Sequence, residues 1–308
     1  MKRVILLIGS NRGYELLKSV NDYFKDKEDF ELFIFTFLAT SHEPNFTIDI
    51  ENYCRENSID YSIDNKVDSE KYKSIWNECE ISIVCGWRFI VPRSTFKLPK
   101  KGAFVTHDSL LPELRGFSPT VWGIRLGKSY GGVTFFKMDD SIDEGEIVDQ
   151  KRIDFKGRYI KDIMLDITDA TIEIVMNNLP KIIDNSVNLK PQDHSKATYC
   201  WKLVPSDFKV NWKMTSNEIL NMIKSYSEPY PGCFSFCNEE IFYIDKASIE
   251  EDSLEYSGYI PGSIKSINPD NSVSIFCGEG ILKIEEIRAK NNAIKEPSIL
   301  LNSINLRL

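Results

Sequence analysis

Long apolar runs are the first thing this 308-residue chain lacks. No stretch approaches the ~20 apolar residues that a membrane helix needs. The run from Val4 to Ile8 behind Met-Lys-Arg is too short for the core of a signal peptide, so it is expected to be a first β-strand of a cytoplasmic protein with no membrane partner. A disulfide framework is also missing. The seven cysteines, at 54, 79, 85, 200, 233, 237 and 277, are odd in number and scattered, which suits a reducing compartment. His194, Cys200, Cys233 and Cys237 match no standard zinc spacing, and several of these cysteines stand in strand-like apolar segments where a free thiol acts as a small hydrophobe. No metal is expected. Positive charge is short too: 38 Lys+Arg face 46 Asp+Glu, a formal net charge of −8, and the field of such a molecule repels polyanions. From residue 201 onward 11 Lys+Arg stand against 15 Asp+Glu, where a tRNA-gripping domain should be basic, so no nucleic-acid partner is expected.

What is present is ordinary for a globular protein: 42% hydrophobic and 27% charged residues, with no internal repeats or low-complexity tract. The length suits one large α/β domain and a smaller one. Strands are expected at Val4–Ile8, Phe30–Phe37, Ile81–Cys85 and Ala103–Thr106, with helices over Tyr14–Phe24, Ile48–Asn57 and Ser69–Glu78 between them. That alternation predicts a doubly wound, Rossmann-like sheet. A second strand pair, Tyr130–Met138 and Glu146–Phe155, brackets a turn-rich loop and is followed by a helix over Ile160–Asn178. Beyond about residue 200 the texture changes to short strands and turns, interrupted by a helix that Thr215-Ser-Asn-Glu218 announces as a capping box. The division is therefore 1–200, an α/β catalytic domain, and 201–308, a β-rich domain with the character of a small OB-like barrel.

The chemistry concentrates in two stretches. In Val105-Thr-His-Asp-Ser-Leu-Leu-Pro-Glu-Leu-Arg-Gly-Phe-Ser-Pro119, His107 directly follows a strand, and open α/β sheets bind ligands beyond the carboxyl ends of their strands. Leu110, Leu111 and Pro112 would anchor the loop, and Arg115-Gly116 adds a cation and a flexible backbone position. The second stretch, Asp139-Asp140-Ser-Ile-Asp143-Glu144-Gly145, joins two strands whose ends approach the same sheet edge. Read alone, His107 is a structural hydrogen-bonding residue as readily as a catalyst, and the acidic loop is a solvated turn. A calcium loop is disfavoured because the alternating oxygen ligands and final glutamate of an EF-hand are missing. Gly9-Ser-Asn-Arg-Gly13 reads as a plain strand-to-helix turn, the dinucleotide fingerprint being absent.

Taken together the landmarks resemble the folate-dependent formyltransferases. His-x-Ser-Leu-Leu-Pro at 107–112, Arg115-Gly116, Pro119, Gly132-Val-Thr134, Met138-Asp139 and Ile142-Asp143 with Gly145 follow one another at family-like spacing. The resemblance implies that His107 and Asp143 act together on the formyl group of 10-formyltetrahydrofolate. An amine attacks the formyl carbon, charge gathers on oxygen, and a donor aimed at that oxygen lowers the barrier. A carboxylate beside an imidazole favours its protonated, donating form, and can also take the proton that the amine sheds. Gly86, Trp87, Arg88, Phe89 and Ile90 resemble the pterin-binding loop, so these residues, with Asp139 and Asp140, are implied to meet the cofactor. Ser109, Arg115, Gly116, Phe117 and Pro119 are implied to meet the substrate. One departure stands out. The family has an asparagine two residues before the histidine, where this chain has Val105, which cannot donate a hydrogen bond.

Which amine is formylated is suggested by Tyr226-Ser-Glu-Pro-Tyr-Pro-Gly-Cys-Phe234, which is similar to the Pro-Tyr-Pro-Gly-Ala-Phe segment of nucleotide-sugar N-formyltransferases. With the acidic C-terminal part, this points to a nucleotide-linked amino-deoxysugar used in surface glycan synthesis, with Tyr226 and Tyr230 as substrate-binding candidates. A methionyl-tRNA formyltransferase is the alternative, and a binding protein that has lost catalysis, suggested by Val105, is a second. A homodimer through the C-terminal region is a further implication of the resemblance.

Overall fold

The computed structural model of the chain describes residues 1–38, 45–289 and 294–308. These form two compact units. The first comprises residues 1–119, 130–154 and 164–201, and the second 120–129, 155–163 and 202–308.

In the first unit, β1 (Lys2–Ile8), β2 (Phe30–Thr36), β3 (Asp60–Ile63), β4 (Cys79–Cys85) and β5 (Ala103–His107) are parallel neighbours in the order β3-β2-β1-β4-β5. Val4 to Ile8 are all fully buried, as a central strand covered on both faces requires, which is why that run is continuously apolar rather than alternating. The first crossovers run one way from β1 and the later ones the other way. The carboxyl ends of β1 and β4 therefore flank the topological switch point, where such sheets bind ligands. α1 (Asn11–Phe24) begins three residues before the apolar spacing predicts, because Ser10 caps it by accepting a hydrogen bond from the Gly13 N–H. The short helices α2 (Thr47–Glu56), α3 (Lys73–Asn77) and α4 (Arg93–Phe96) complete the crossovers.

A two-residue strand, β6 (Arg115–Gly116), and a short helix, α5 (Pro119–Arg125), follow β5. β7 (Tyr130–Lys137) then runs antiparallel to β5, with Phe104 opposite Lys137 and His107 opposite Thr134, and β8 (Ile147–Asp154) closes the sheet edge. The turn between β7 and β8 thus lies near the beginning of β5 in register, yet its later residues fold back towards His107. α6 (Ile160–Ile183) follows, and within the first unit it meets the sheet through Glu173 to Lys151 and Asn178 to Asp149. Finally β9 (Tyr199–Cys200) pairs with β6 in parallel, Arg115 with Tyr199 and Gly116 with Cys200.

The second unit is built on an antiparallel sheet. β10 (Cys233–Cys237), β11 (Glu240–Glu250), β12 (Ile264–Ile267), β13 (Val273–Phe276) and β14 (Ile281–Ala289) are arranged β10-β11-β14-β13-β12. The helix α7 (Ser216–Ser225) opens with the expected reciprocal cap: the Glu218 N–H donates to Thr215 Oγ1 and the Thr215 N–H donates to Glu218 Oε2. Its apolar face, Ile219, Leu220 and Ile223, is buried, and Trp212 packs nearby with its indole N–H on Ser235 Oγ at 3.0 Å.

Candidate active site

His107 ends β5 and is 8% exposed. Its Nε2–H donates to the Leu114 carbonyl at 2.9 Å, since a carbonyl can only accept, and this leaves Nδ1 as the nitrogen that faces Asp143 Oδ2 at 3.6 Å. That separation exceeds a hydrogen bond, so the two groups are juxtaposed without being tied to each other. Asp143 Oδ2 instead accepts the Gly116 N–H at 2.8 Å. Gly116 has φ +98°, and a Cβ there would stand 2.6 Å from the Cys200 carbonyl oxygen, so a side chain is excluded on both counts.

The loop after His107 is fixed from several sides. Ser109 Oγ donates to the Glu113 carbonyl, Thr134 Oγ1 donates to the Ser109 carbonyl, and the Leu111 N–H donates to Thr134 Oγ1. Gln150 Nε2 bridges the Leu111 carbonyl and Thr134 Oγ1, both at 2.8 Å. The Leu114 N–H donates to Thr198 Oγ1, which holds in place the carbonyl that His107 uses. Arg12, in the first turn of α1, pairs with Asp108 at 2.6 Å and so ties the end of β5 to the switch point. Burial opposes the charge on Arg12, but Asp108 beside it outweighs this and moves the guanidinium above its ordinary value.

Two residues that the resemblance implies for substrate binding make contacts within the protein. The Ser109 hydroxyl is engaged within its loop. Arg115 is 1% exposed, and its guanidinium donates to Glu144 Oε1 at 2.9 Å, Tyr199 OH at 3.2 Å and Gln192 Oε1 at 2.7 Å, with His194 Nδ1 at 3.2 Å. Phe117 is exposed and Pro119 opens α5.

The residues implied for the cofactor come together beyond β4. Trp87 and Phe89 pack edge-on against Phe37, at 5.2 and 5.1 Å between ring centroids, with the Arg88 guanidinium 4.7 Å from the centre of the Phe37 ring. Gly86 has a positive φ and turns the chain into this wall, while Ile90 faces outward. Among the described residues the buried Trp87 indole N–H has no hydrogen-bond partner. Asp139 and Asp140 pair with the segment of α4: Lys97, which follows the helix, lies 3.5 Å from Asp139, and Arg93 lies 3.2 Å from Asp140. The Asp140 N–H and then Lys97 hold the Asp139 carboxyl below its ordinary range.

In the second unit the Tyr226 ring stacks on Phe208 and on Tyr230, with centroid separations of 3.3 and 5.1 Å. Among the described residues no group of histidine, cysteine and carboxylate side chains could hold a metal. His194 lies instead beside Glu144 and Arg115, and Cys200, Cys233 and Cys237 are buried. Sequence reasoning passed over Gln192, Tyr199 and Thr198, which stand in an irregular segment with no periodicity to signal a role.

A doubly wound sheet whose β5 ends in an imidazole faced by a carboxylate from a neighbouring turn has the parts needed to move a proton at a reacting group. The chain belongs to the formyl transferase family and carries both of its domains: the pattern described as Formyl transferase matches residues 39–174, and that described as Formyl transferase, C-terminal domain, matches 202–305. Among curated proteins, the bifunctional polymyxin resistance protein ArnA of Wigglesworthia glossinidia brevipalpis is 32% identical over 184 residues, which are 59% of this chain and 28% of that protein. A methionyl-tRNA formyltransferase of Alkaliphilus oremlandii is 28% identical over 221 residues, 70% of each chain. The chain thus spans well under two thirds of the first relative and slightly more than two thirds of the second. Among solved structures, the N-formyltransferase from Helicobacter canadensis, in complex with folinic acid and dTDP-3-aminofucose, shares the fold with a TM-score of 0.69 at 18% identity, over 92% of this chain and 99% of that one.

Proposed function

We propose that the chain transfers the formyl group of 10-formyltetrahydrofolate to the primary amine of a nucleotide-linked amino-deoxysugar. The observation that carries this reading is the juxtaposition of His107 Nδ1 and Asp143 Oδ2 at the carboxyl edge of β5. When bound, 10-formyltetrahydrofolate would supply an activated formyl group, and tetrahydrofolate would leave as its N10–formyl bond breaks and that nitrogen takes up a proton. The aromatic wall of Phe37, Trp87 and Phe89 suits a flat ring, and the unpartnered Trp87 N–H offers it a donor. Asp143, whose Oδ2 accepts the Gly116 N–H, is placed to take the proton that the attacking amine sheds as its bond to the formyl carbon forms. His107 is held by its Nε2 on a backbone carbonyl, which leaves Nδ1 to present a proton to oxygen as charge develops there.

A sugar is favoured by the acidic second part of the chain, by the Tyr226–Phe234 segment, and by the aminosugar nucleotide named for the Helicobacter canadensis relative. The methionyl-tRNA formyltransferase relative favours a second reading, in which the acceptor is an aminoacylated tRNA. Incubation with 10-formyltetrahydrofolate and a panel of nucleotide aminosugars, followed by mass spectrometry, is expected to show a single formyl addition that His107→Asn abolishes. A salt-sensitive gel shift with initiator tRNA, together with no modified sugar, would establish the second reading instead.

A further inference from the structure

We propose that Gln192 is the positioning residue that holds Asp143 against His107. This rests on the reading of Asp143 as the proton acceptor, but the geometry behind it is independent. Asp143 has φ +56°, a left-handed conformation uncommon for non-glycine residues, although aspartate tolerates it better than most. The turn has no glycine at that position to favour it. Support comes from Gln192, which is 6% exposed and whose amide nitrogen donates to the Asp143 carbonyl at 2.9 Å and the Gly145 carbonyl at 2.8 Å. Both N–H groups of one side chain thus grip the carbonyls on either side of Glu144.

The amide cannot be turned round. Carbonyl oxygens only accept and a guanidinium only donates, so Nε2 must face the turn and Oε1 must face Arg115, whose Nη2 lies 2.7 Å away. Arg115 Nη1 then reaches Glu144 Oε1 at 2.9 Å and closes a ring of contacts around the turn. Gly145 seats the turn on β7, since a Cβ there would lie 1.7 Å from the Lys137 carbonyl oxygen. The same Arg115 backbone donates to the Thr198 carbonyl, in the segment that carries Gln192. Gly116, the donor to the Asp143 carboxylate, is held in that strand pair, and Gln192, the clamp on the Asp143 backbone, precedes the pair by a few residues in the same segment. Glutamate, leucine or a shorter amide at 192 cannot supply two donors at that reach.

The experiment uses the full chain with its three histidines labelled with 15N, the His107 ring signals being assigned by His107→Asn. Gln192→Leu removes both donors at similar volume, and Gln192→Glu, which keeps the oxygen facing Arg115, guards against the apolar variant failing to fold. The expected result is that the His107 ring signals in folded Gln192 variants move towards their positions in Asp143→Asn. With dTDP-3-aminofucose and 10-formyltetrahydrofolate as probes, kcat should fall by about 30-fold or more while both KM values stay within about threefold, the split expected when positioning for chemistry is lost but binding is not. Unchanged His107 signals in a folded Gln192 variant overturn the proposal. A wild-type rate in Gln192→Leu beside an inactive Asp143→Asn overturns it alone. A wild-type rate in Asp143→Asn removes the catalytic reading, while the ring signals still decide whether Gln192 holds the pair.

Discussion

Replacing Asp143 by asparagine keeps the shape of the side chain and an oxygen for the Gly116 N–H, and removes only the charge beside His107. At 3.6 Å, and with an effective dielectric constant of about 20, opposite unit charges attract by about 4.6 kcal/mol, from which the cost of removing them from water is subtracted. The amide dipole retains part of this. If the imidazolium forms on the way to the transition state, kcat should therefore fall by between about 10² and 10³. Single-turnover formyl transfer measures that step directly, provided the variant is first matched to the parent by thermal melting. Because the Gln192 clamp and the Gly116 bond both act on groups that the substitution leaves in place, the melting temperature should move by only a few degrees. A folded Asp143→Asn protein within threefold of the parent rate would refute the electrostatic reasoning and leave His107 without its proposed counter-charge.

Val105→Asn restores the donor that the family has and this chain lacks. It places an amide on β5 between Val84 and Phe136, so about 2 kcal/mol of stability should be lost by denaturant unfolding, while kcat stays equal or rises by up to about 10², and a tenfold loss would show that the site is built around valine. Thr215→Ala removes the reciprocal cap of α7 and should cost about 1 kcal/mol in the same assay without altering turnover. Burial pushes the Cys54 and Cys277 thiols up to about 12, so the folded chain should resist iodoacetamide at pH 8 and react on unfolding. Because the unfolded thiols lose their protons near the ordinary value of 9.0 and the folded ones do not, this contribution to stability is complete below pH 9 and is lost as pH rises towards 12; a flat stability profile over that interval would contradict it.

The sheet was legible because its strands are apolar runs bounded by turn residues, and Val4–Ile8 reads as a central strand for the same reason that it is fully buried. β3 was missed because Asp-Tyr-Ser-Ile at the sheet edge has neither an apolar run nor clear alternation. The start of α1 was misplaced because a cap acts through one hydroxyl, which apolar periodicity does not register. His107 and Asp143 were legible through their motifs, yet the geometry that joins them was not. Their meeting depends on a left-handed residue, on a backbone N–H at Gly116, and on Gln192, which stands 49 positions from Asp143 in an aperiodic segment.

The role of Arg115 shows where motif reasoning and physics diverge. Beside a glycine in a loop, an arginine reads as a contact for an anionic substrate, and its charge makes that reading natural. At 1% exposure its Nη1 and Nη2 groups meet Glu144, Tyr199, Gln192 and His194, while its buried Nε has no partner among the described residues, so most of its donors are engaged within the protein. These contacts brace the turn that carries Asp143 and Glu144. The departure at Val105 follows the same logic in reverse. Under the proposed function, a site that lacks one donor on β5 depends more heavily on how accurately its remaining pair is held, and residues 143–145 are gripped by Gln192 and Arg115.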